Sequence, residues 1–182
     1  MRAGYRAFLG LLVCLTYNLV GVAAMFFAHK MAVAKFPALL MAAIYFFAGI
    51  PGAWVLWYMR LYGAAIRDAA LGYAAFFTFF LAHFVFCVWS CVGPPFASGW
   101  SHTGLIVGVS ALSTNVFSGV VYIIGGVLWG VESLWSLWAA RAVYAAFRGQ
   151  GADRRLKQEL AAAGAAAGVR VAAAGAGGGG RG

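Results

Sequence analysis

The sequence predicts an all-α integral membrane protein: a bundle of four transmembrane helices with a short amphipathic cytosolic linker helix and a disordered tail. Of its 182 residues, 64% are hydrophobic and only 9% are charged, whereas a soluble domain carries about a quarter charged residues. The apolar residues form long uncharged blocks without a helical or strand period, which is typical of membrane spans. All three cysteines fall inside these blocks, so they predict no disulfide framework.

The first two predicted spans are uncharged blocks that follow a short N-terminus, residues 1–6. The first span, 7–28, is about 33 Å long at helical rise, which is enough for a hydrocarbon core of roughly 30 Å. It is also too long for the core of a cleavable signal peptide. The second span, 36–57, contains Pro51, which we expect to kink the helix, and it ends in aromatic residues typical of a membrane interface.

A linker with basic residues separates the second span from the third, which we predict at 72–92. As a helix, residues 58–71 are amphipathic and could lie in the headgroup plane. One predicted face carries Arg60, Ala64, Arg67 and Asp68, and the other carries Tyr58, Leu61, Tyr62, Ala65 and Ile66.

The stretch after the third span leaves two alternatives open. A Gly-Pro-Pro turn at 93–95 ends the third span. Residues 105–115 are apolar but too short to cross a membrane. They form either an interfacial or re-entrant segment or an early start of the fourth span, which we predict at 116–138.

The membrane domain therefore covers 7–139, and residues 140–182 form a tail that is first basic and then rich in alanine and glycine. We expect the Ala/Gly-rich part, 161–182, to be disordered, because it lacks large apolar side chains that could offset the entropy of ordering.

The distribution of positive charge predicts the orientation. Eleven of the 13 Lys and Arg residues lie in the N-terminus, the linker and the tail, and only Lys30 and Lys35 lie on the other side. The positive-inside rule places the larger group in the cytosol, so both termini are predicted to be cytosolic. This pattern explains the net charge of +9 better than nucleic-acid binding does.

Three polar side chains within the predicted spans are candidates for function: Asn18, His83 and Glu132. Intramembrane carboxylates are costly and often functional, but Glu132 could instead reach a polar partner on another helix, and we favour that structural role. His83 shares one helix face with Cys87 and Cys91. A metal site needs three or four converging ligands, so we predict packing and no metal or other cofactor. No catalytic triad, carboxylate pair or phosphate-binding loop indicates an enzyme.

Several multi-residue stretches fit one known family in order and spacing. They are Leu12–Thr16 with Asn18, Ile44–Phe46 with Gly49–Gly52, Trp57–Tyr58 with Leu61–Tyr62, Phe86–Val88 with Pro94–Pro95, and Glu132–Leu134, Ser136 and Trp138 with Val143–Tyr144 and Phe147–Gly149. Over roughly residues 5–150, the chain resembles the plant-type secretory carrier membrane proteins (SCAMPs).

The resemblance implies four spans, cytosolic termini and a non-enzymatic role in post-Golgi vesicle trafficking, with exocytosis, endocytic recycling and protein transport. It implies residence in secretory vesicles, the trans-Golgi network or endosomes, and the plasma membrane. The implied partners are the bilayer, anionic phospholipids or phosphoinositides, trafficking proteins and a second copy of the chain, but not nucleic acid. The family's lipid-engaging linker corresponds here to 57–68, and the predicted headgroup contacts are Trp57, Tyr58, Arg60, Tyr62 and Arg67.

Two departures from the family pattern change these expectations. The family linker usually reads Trp-Tyr-Arg-Pro, but Met59 and Arg60 stand in place of the Arg-Pro pair, so we expect weaker binding of anionic lipid. Family members also carry a long cytosolic N-terminus with Asn-Pro-Phe motifs and a coiled coil. This sequence begins just before its first span with neither, which fits a truncated sequence or a reduced member, and the resemblance does not extend to adaptor recruitment. The alternative function is a small channel or transporter that uses Glu132 with Asn18 or His83.

Overall fold

The computed structural model describes residues 2–28, 32–67, 69–94, 102–113, 115–149 and 152–177, and within these ranges it contains helices and no strands. The helices are α1 (Arg2–Ala28), α2 (Ala32–Ala53), a π-helix (Trp54–Tyr58), α3 (Met59–Arg67), α4 (Ala70–Val92), α5 (Leu105–Leu112), α6 (Val116–Gly149) and α7 (Ala152–Gly177). Four runs are long and apolar enough to cross a membrane: Arg2–Phe27, Phe36–Arg67, Ala70–Val92 and Val116–Gly149. The four-helix prediction is confirmed.

Helices α1 and α6 form the centre of the bundle. Helix α6 packs against α1, α4 and α5, while α1 also packs against α2. The core lies where α1, α4 and α6 face one another, and it contains Leu11, Leu15, Phe76, Phe80 and Trp129. Large apolar side chains are exposed on the outward faces of all four spanning runs. Such faces suit lipid tails, since a bilayer does not penalise exposed apolar side chains as water does.

The linker is a helical continuation of the second span, through the π-helix and α3, which packs on α4. The predicted division into a polar and an apolar face is wrong at Ala64, which is only 3% exposed. A Cβ atom on Gly72 would lie 2.9 Å from the Ala64 Cβ, so this small residue allows α3 to approach α4 closely. Leu61 is buried on the same side, whereas Tyr62 and Ile66 are exposed.

Of the two alternatives for residues 105–115, the structure excludes an early start of the fourth span. Helix α5 is a separate short helix that runs antiparallel to the first part of α6, with Leu105 beside Gly126, Gly108 beside Ile123, and Leu112 beside Gly119. A Cβ on Gly108 would lie 2.8 Å from the Ile123 backbone nitrogen, so the two helices meet backbone to backbone. The early-start alternative is therefore wrong, and α5–α6 is a helical hairpin.

The tail prediction is wrong for residues 161–177, which continue helix α7. Alanine is the best helix former, and a helix satisfies its own backbone hydrogen bonds without a hydrophobic core. The start of α7 is also tied to the bundle, because the Glu159 carboxylate accepts hydrogen bonds from the backbone N–H groups of Ala70 (3.0 Å) and Leu71 (2.8 Å). Both N–H groups lie in the first turn of α4, where the helix itself provides no acceptor for them. Residues 178–182 lie outside the described part of the chain.

Candidate functional site

A buried polar cluster joins α4 to α6 inside the bundle. Glu132 is 4% exposed and His83 8% exposed, and Ser136 is fully buried. Ser136 Oγ donates a hydrogen bond to Glu132 Oε1 at 3.2 Å, and His83 Nε2 lies 3.1 Å from Ser136 Oγ and 3.7 Å from Glu132 Oε1. The imidazole, hydroxyl and carboxyl groups thus form one hydrogen-bonded set, buried inside the bundle.

The sequence places this cluster through helical periodicity and one close approach. Glu132 and Ser136 are four residues apart on α6, so they share a face. Gly10 on α1 lies against the Glu132 carboxyl group, and any Cβ atom at residue 10 would overlap it. Sequence reasoning predicted a polar partner for Glu132 but missed Gly10, because a glycine between apolar residues carries no signal of what lies opposite.

Aromatic side chains and one thiol pack against the cluster. The His83 ring lies 5.1 Å from the Trp57 ring and 5.3 Å from the Phe80 ring, centroid to centroid. The Cys87 Sγ atom lies 3.6 Å from His83 Nε2. In the part of the chain that the structure describes, no group of three or more His, Cys, Asp or Glu side chains is arranged to hold a metal ion. The arrangement links α4 to α6 through hydrogen-bonded side chains.

Asn18 binds Thr103 and not Glu132, with which the channel alternative pairs it. Its side-chain oxygen accepts hydrogen bonds from Thr103 N (2.8 Å) and Thr103 Oγ1 (3.1 Å). Asn18 lies eight residues beyond Gly10 on α1, about 12 Å along the helix at 1.5 Å per residue. The structure therefore brings His83 to Glu132, and uses Asn18 to hold the segment that precedes α5.

The predicted headgroup contacts divide into one buried residue and four outer ones. Trp57 is 2% exposed, so its ring does not lie on the outer surface of the linker, and we remove it from the predicted headgroup contacts. It is buried because its indole packs between Phe8 on α1 and Phe80 on α4. Tyr58 is half-buried, and Arg60, Tyr62 and Arg67 are exposed.

Arg60 nevertheless has a partner within the bundle. Its guanidinium carbon lies 4.7 Å from the centre of the Phe79 ring, which is the geometry of a cation–π contact. This contact fixes the direction of the side chain but leaves its outer surface exposed. The charge can therefore still attract an anionic group.

Comparison with known proteins identifies the family. The sequence profile of the SCAMP family matches residues 1–150. The chain belongs to the SCAMP family. The resemblance inferred from the sequence is thereby confirmed, and the match contains every residue of the buried cluster and of the linker, whereas α7 lies outside it.

Among plant SCAMPs, the chain is 40% identical to secretory carrier-associated membrane protein 2 of Oryza sativa subsp. japonica, over 90% of this chain and 57% of that protein. It is 41% identical to secretory carrier-associated membrane protein 1 of Arabidopsis thaliana, over 87% of this chain and 56% of that protein. The chain thus spans about half the length of the relatives it matches. No solved structure matches it significantly.

Proposed function

We propose that this SCAMP chain is a non-enzymatic multi-pass membrane protein of post-Golgi vesicle trafficking, with roles in exocytosis and endocytic recycling. The observation that carries the proposal is the family match, which includes all four spanning runs and the linker. The names of the plant relatives describe secretory carrier-associated membrane proteins, and we extend that role to this chain.

The surroundings of the buried cluster support a scaffold rather than a conduction path. Around the set of Glu132, His83 and Ser136, the described contacts include aromatic rings, the Cys87 thiol and Gly10. Asn18, the other polar group that a path would need, binds Thr103 instead. We therefore make no proposal of a channel or transporter.

Localisation in living plant cells tests the trafficking role. The full chain with a fluorescent protein fused to its tail is expected to appear in mobile puncta that overlap a trans-Golgi network marker, and at the plasma membrane. Blocking endosomal recycling is expected to move the plasma-membrane signal into the puncta. Confinement to the endoplasmic reticulum under conditions that leave a control SCAMP correctly sorted, or a plasma-membrane signal that ignores the block, would contradict the proposal.

We further propose that the outer residues of the linker, Tyr58, Arg60, Tyr62 and Arg67, engage anionic lipid on the cytosolic side. The two arginines are exposed, and each basic residue near an anionic membrane surface contributes about 1 kcal/mol of attraction. The exposed ring of Tyr62 suits the interface between lipid tails and headgroups.

Charge removal in the full chain tests this lipid contact. In a neutral detergent, a short-chain phosphoinositide is expected to bind the double variant Arg60→Gln/Arg67→Gln roughly 30-fold more weakly than the wild type, from about 1 kcal/mol per charge. The matched control, Lys30→Gln/Lys35→Gln, removes the same charge from the other side and is expected to bind normally. An equal loss in both variants, or equal binding of short-chain phosphatidylcholine, would contradict the assignment.

A further inference from the structure

An apolar crevice of about 340 Å³ lies between α2 and α4, and its lining includes parts of α1 and the π-helix. Helix α2 packs mainly on α1, while α4 packs on α6, α3 and the π-helix. The spans α2 and α4 are therefore close at the π-helix and separate with increasing distance from it along α2. The outer edge of the crevice is open, since Ile44 and Leu56 at its rim are 46% and 43% exposed. In a bilayer this opening faces lipid.

The two walls of the crevice differ in character. The wall on α2 is built from the small residues Ala48, Gly49, Gly52 and Ala53. The wall on α4 presents the aromatic rings of Phe79 and Phe86. The small residues leave a smooth surface without protruding side chains. A flat apolar body can therefore lie between the two walls and contact both.

One end of the crevice carries a buried nitrogen without a hydrogen-bond partner among the described residues, and a second such nitrogen lies next to a residue that lines the other end. Trp57 borders one end, and its Nε1–H group has no acceptor. Tyr45 lines the other end. His102 is not part of the lining, but it stacks on Tyr45 with ring centroids 4.8 Å apart and meets Phe86 edge-on, and its Nδ1 atom has no partner. Buried polar atoms without a partner are uncommon. Among the described residues the indole nitrogens of Trp129 and Trp135 are also without one, so it is the position of Trp57 in the crevice lining that points to an occupant.

The length of the crevice matches one leaflet of a membrane. Tyr45 and Trp57 are twelve residues apart, about 18 Å at helical rise, and one leaflet of the hydrocarbon core is about 15 Å thick. The Trp57 end lies one helical turn from Arg60 and so close to the predicted cytosolic interface. An occupant with a single polar end can therefore place that end beside Trp57 and its apolar body along the crevice.

We propose that the crevice binds a membrane sterol, with the ring system between the glycine wall and the phenylalanine rings and the hydroxyl oxygen accepting a hydrogen bond from Trp57 Nε1–H. A rigid ring system loses little conformational entropy on binding, whereas an acyl chain loses many rotamers in the same space. The chain also contains Leu56, Tyr58 and Arg60 at the spacing of a sterol-contact motif. That pattern is weak alone, but here Leu56 lines the crevice.

Photolabelling of the full chain in phosphatidylcholine vesicles tests the site. A diazirine sterol is expected to label peptides of α2 and α4 saturably, and excess unlabelled sterol is expected to remove the label. A diazirine phosphatidylcholine tests the alternative that a phospholipid acyl chain occupies the crevice. If it labels the crevice saturably and sterol does not compete, an acyl chain occupies the crevice and the proposal is wrong.

Two glycine variants provide a matched pair for the site itself. A Cβ atom at Gly52 or at Gly63 meets nothing within 4 Å, but only Gly52 lines the crevice. Gly52→Leu is expected to reduce sterol labelling at least fivefold, while Gly63→Leu leaves it unchanged. Equal labelling of the two variants would overturn the proposed location.

A third variant tests the polar anchor without filling the crevice. Trp57→Phe keeps an aromatic ring and removes the Nε1–H donor. One hydrogen bond of about 1 kcal/mol corresponds to a roughly fivefold higher sterol concentration for half-maximal labelling. Unchanged half-maximal labelling would contradict the assigned hydrogen bond, even if the ring system proved to lie in the crevice.

Discussion

Replacing His83 with leucine is expected to lower the free energy of unfolding by about 2 kcal/mol, because Glu132 and Ser136 then remain buried with one hydrogen-bond partner fewer. The double variant His83→Leu/Glu132→Leu removes both members of the pair and is expected to regain most of the loss. The two substitutions should therefore couple by about 1–2 kcal/mol. Reversible unfolding in mixed micelles, followed by tryptophan fluorescence, measures each member of the cycle.

A second cycle provides the control. Asn18 is also a buried polar residue, but its side chain binds Thr103 and lies away from Glu132. Asn18→Leu and Glu132→Leu should therefore add within about 0.5 kcal/mol, as substitutions at distant sites do. If His83 and Glu132 were also additive, the buried cluster would not be the energetic link between α4 and α6 that we infer.

Replacing Gly108 with alanine is expected to force the α5–α6 hairpin apart. The new methyl group would lie 2.7 Å from a side-chain carbon and 2.8 Å from the backbone nitrogen of Ile123, and α6 cannot yield without losing its other contacts. Overpacking of this kind costs about 1–3 kcal/mol, which corresponds to a melting temperature lower by roughly 5 °C. Thermal unfolding in detergent measures the shift.

Gly63→Ala is the matched control for the hairpin. Gly63 also lies within a helix, but a methyl group there meets nothing within 4 Å. Alanine is a better helix former than glycine, so this variant should be unchanged or more stable by up to about 1 kcal/mol. A melting temperature that falls by the same amount in both variants would show that the hairpin contact does not determine the loss.

The four spans could be predicted because composition alone specifies them. An uncharged apolar run of about 20 residues has one stable arrangement in a bilayer, so no knowledge of its neighbours is needed. The same reasoning could not place α5. Its eight residues are apolar but short, and its position depends on Gly108 and Gly119, whose partners are visible only in the folded chain.

The buried cluster could be predicted in part. The cost of a carboxyl group within a span predicts a polar partner on another helix, and His83 fulfils that role. Whether His83 or Asn18 is the partner of Glu132 depends on how α1 and α4 are rotated about their axes. Composition does not specify these rotations. The burial of Trp57 was missed for a related reason, since an aromatic residue near a span end suits the interface and the helix contact equally well.

The tail shows where the reasoning from burial failed. The absence of large apolar side chains argued against order over 161–177, yet helix propensity is a local property and alanine has the highest. Glu159 then joins α7 to the first turn of α4, a contact that no local pattern indicates.

Glycosylation mapping of the full chain in microsomes tests the central claim, that the chain crosses the bilayer four times with its basic segments in the cytosol. Acceptor sequences inserted at 29–31 and at 95–101 are expected to receive glycans. Acceptors placed before Arg2, at Asp68 and at 150–151 are expected to stay unmodified. A glycan at Asp68 or in the tail would contradict both the number of crossings and the orientation on which the lipid-contact proposal depends.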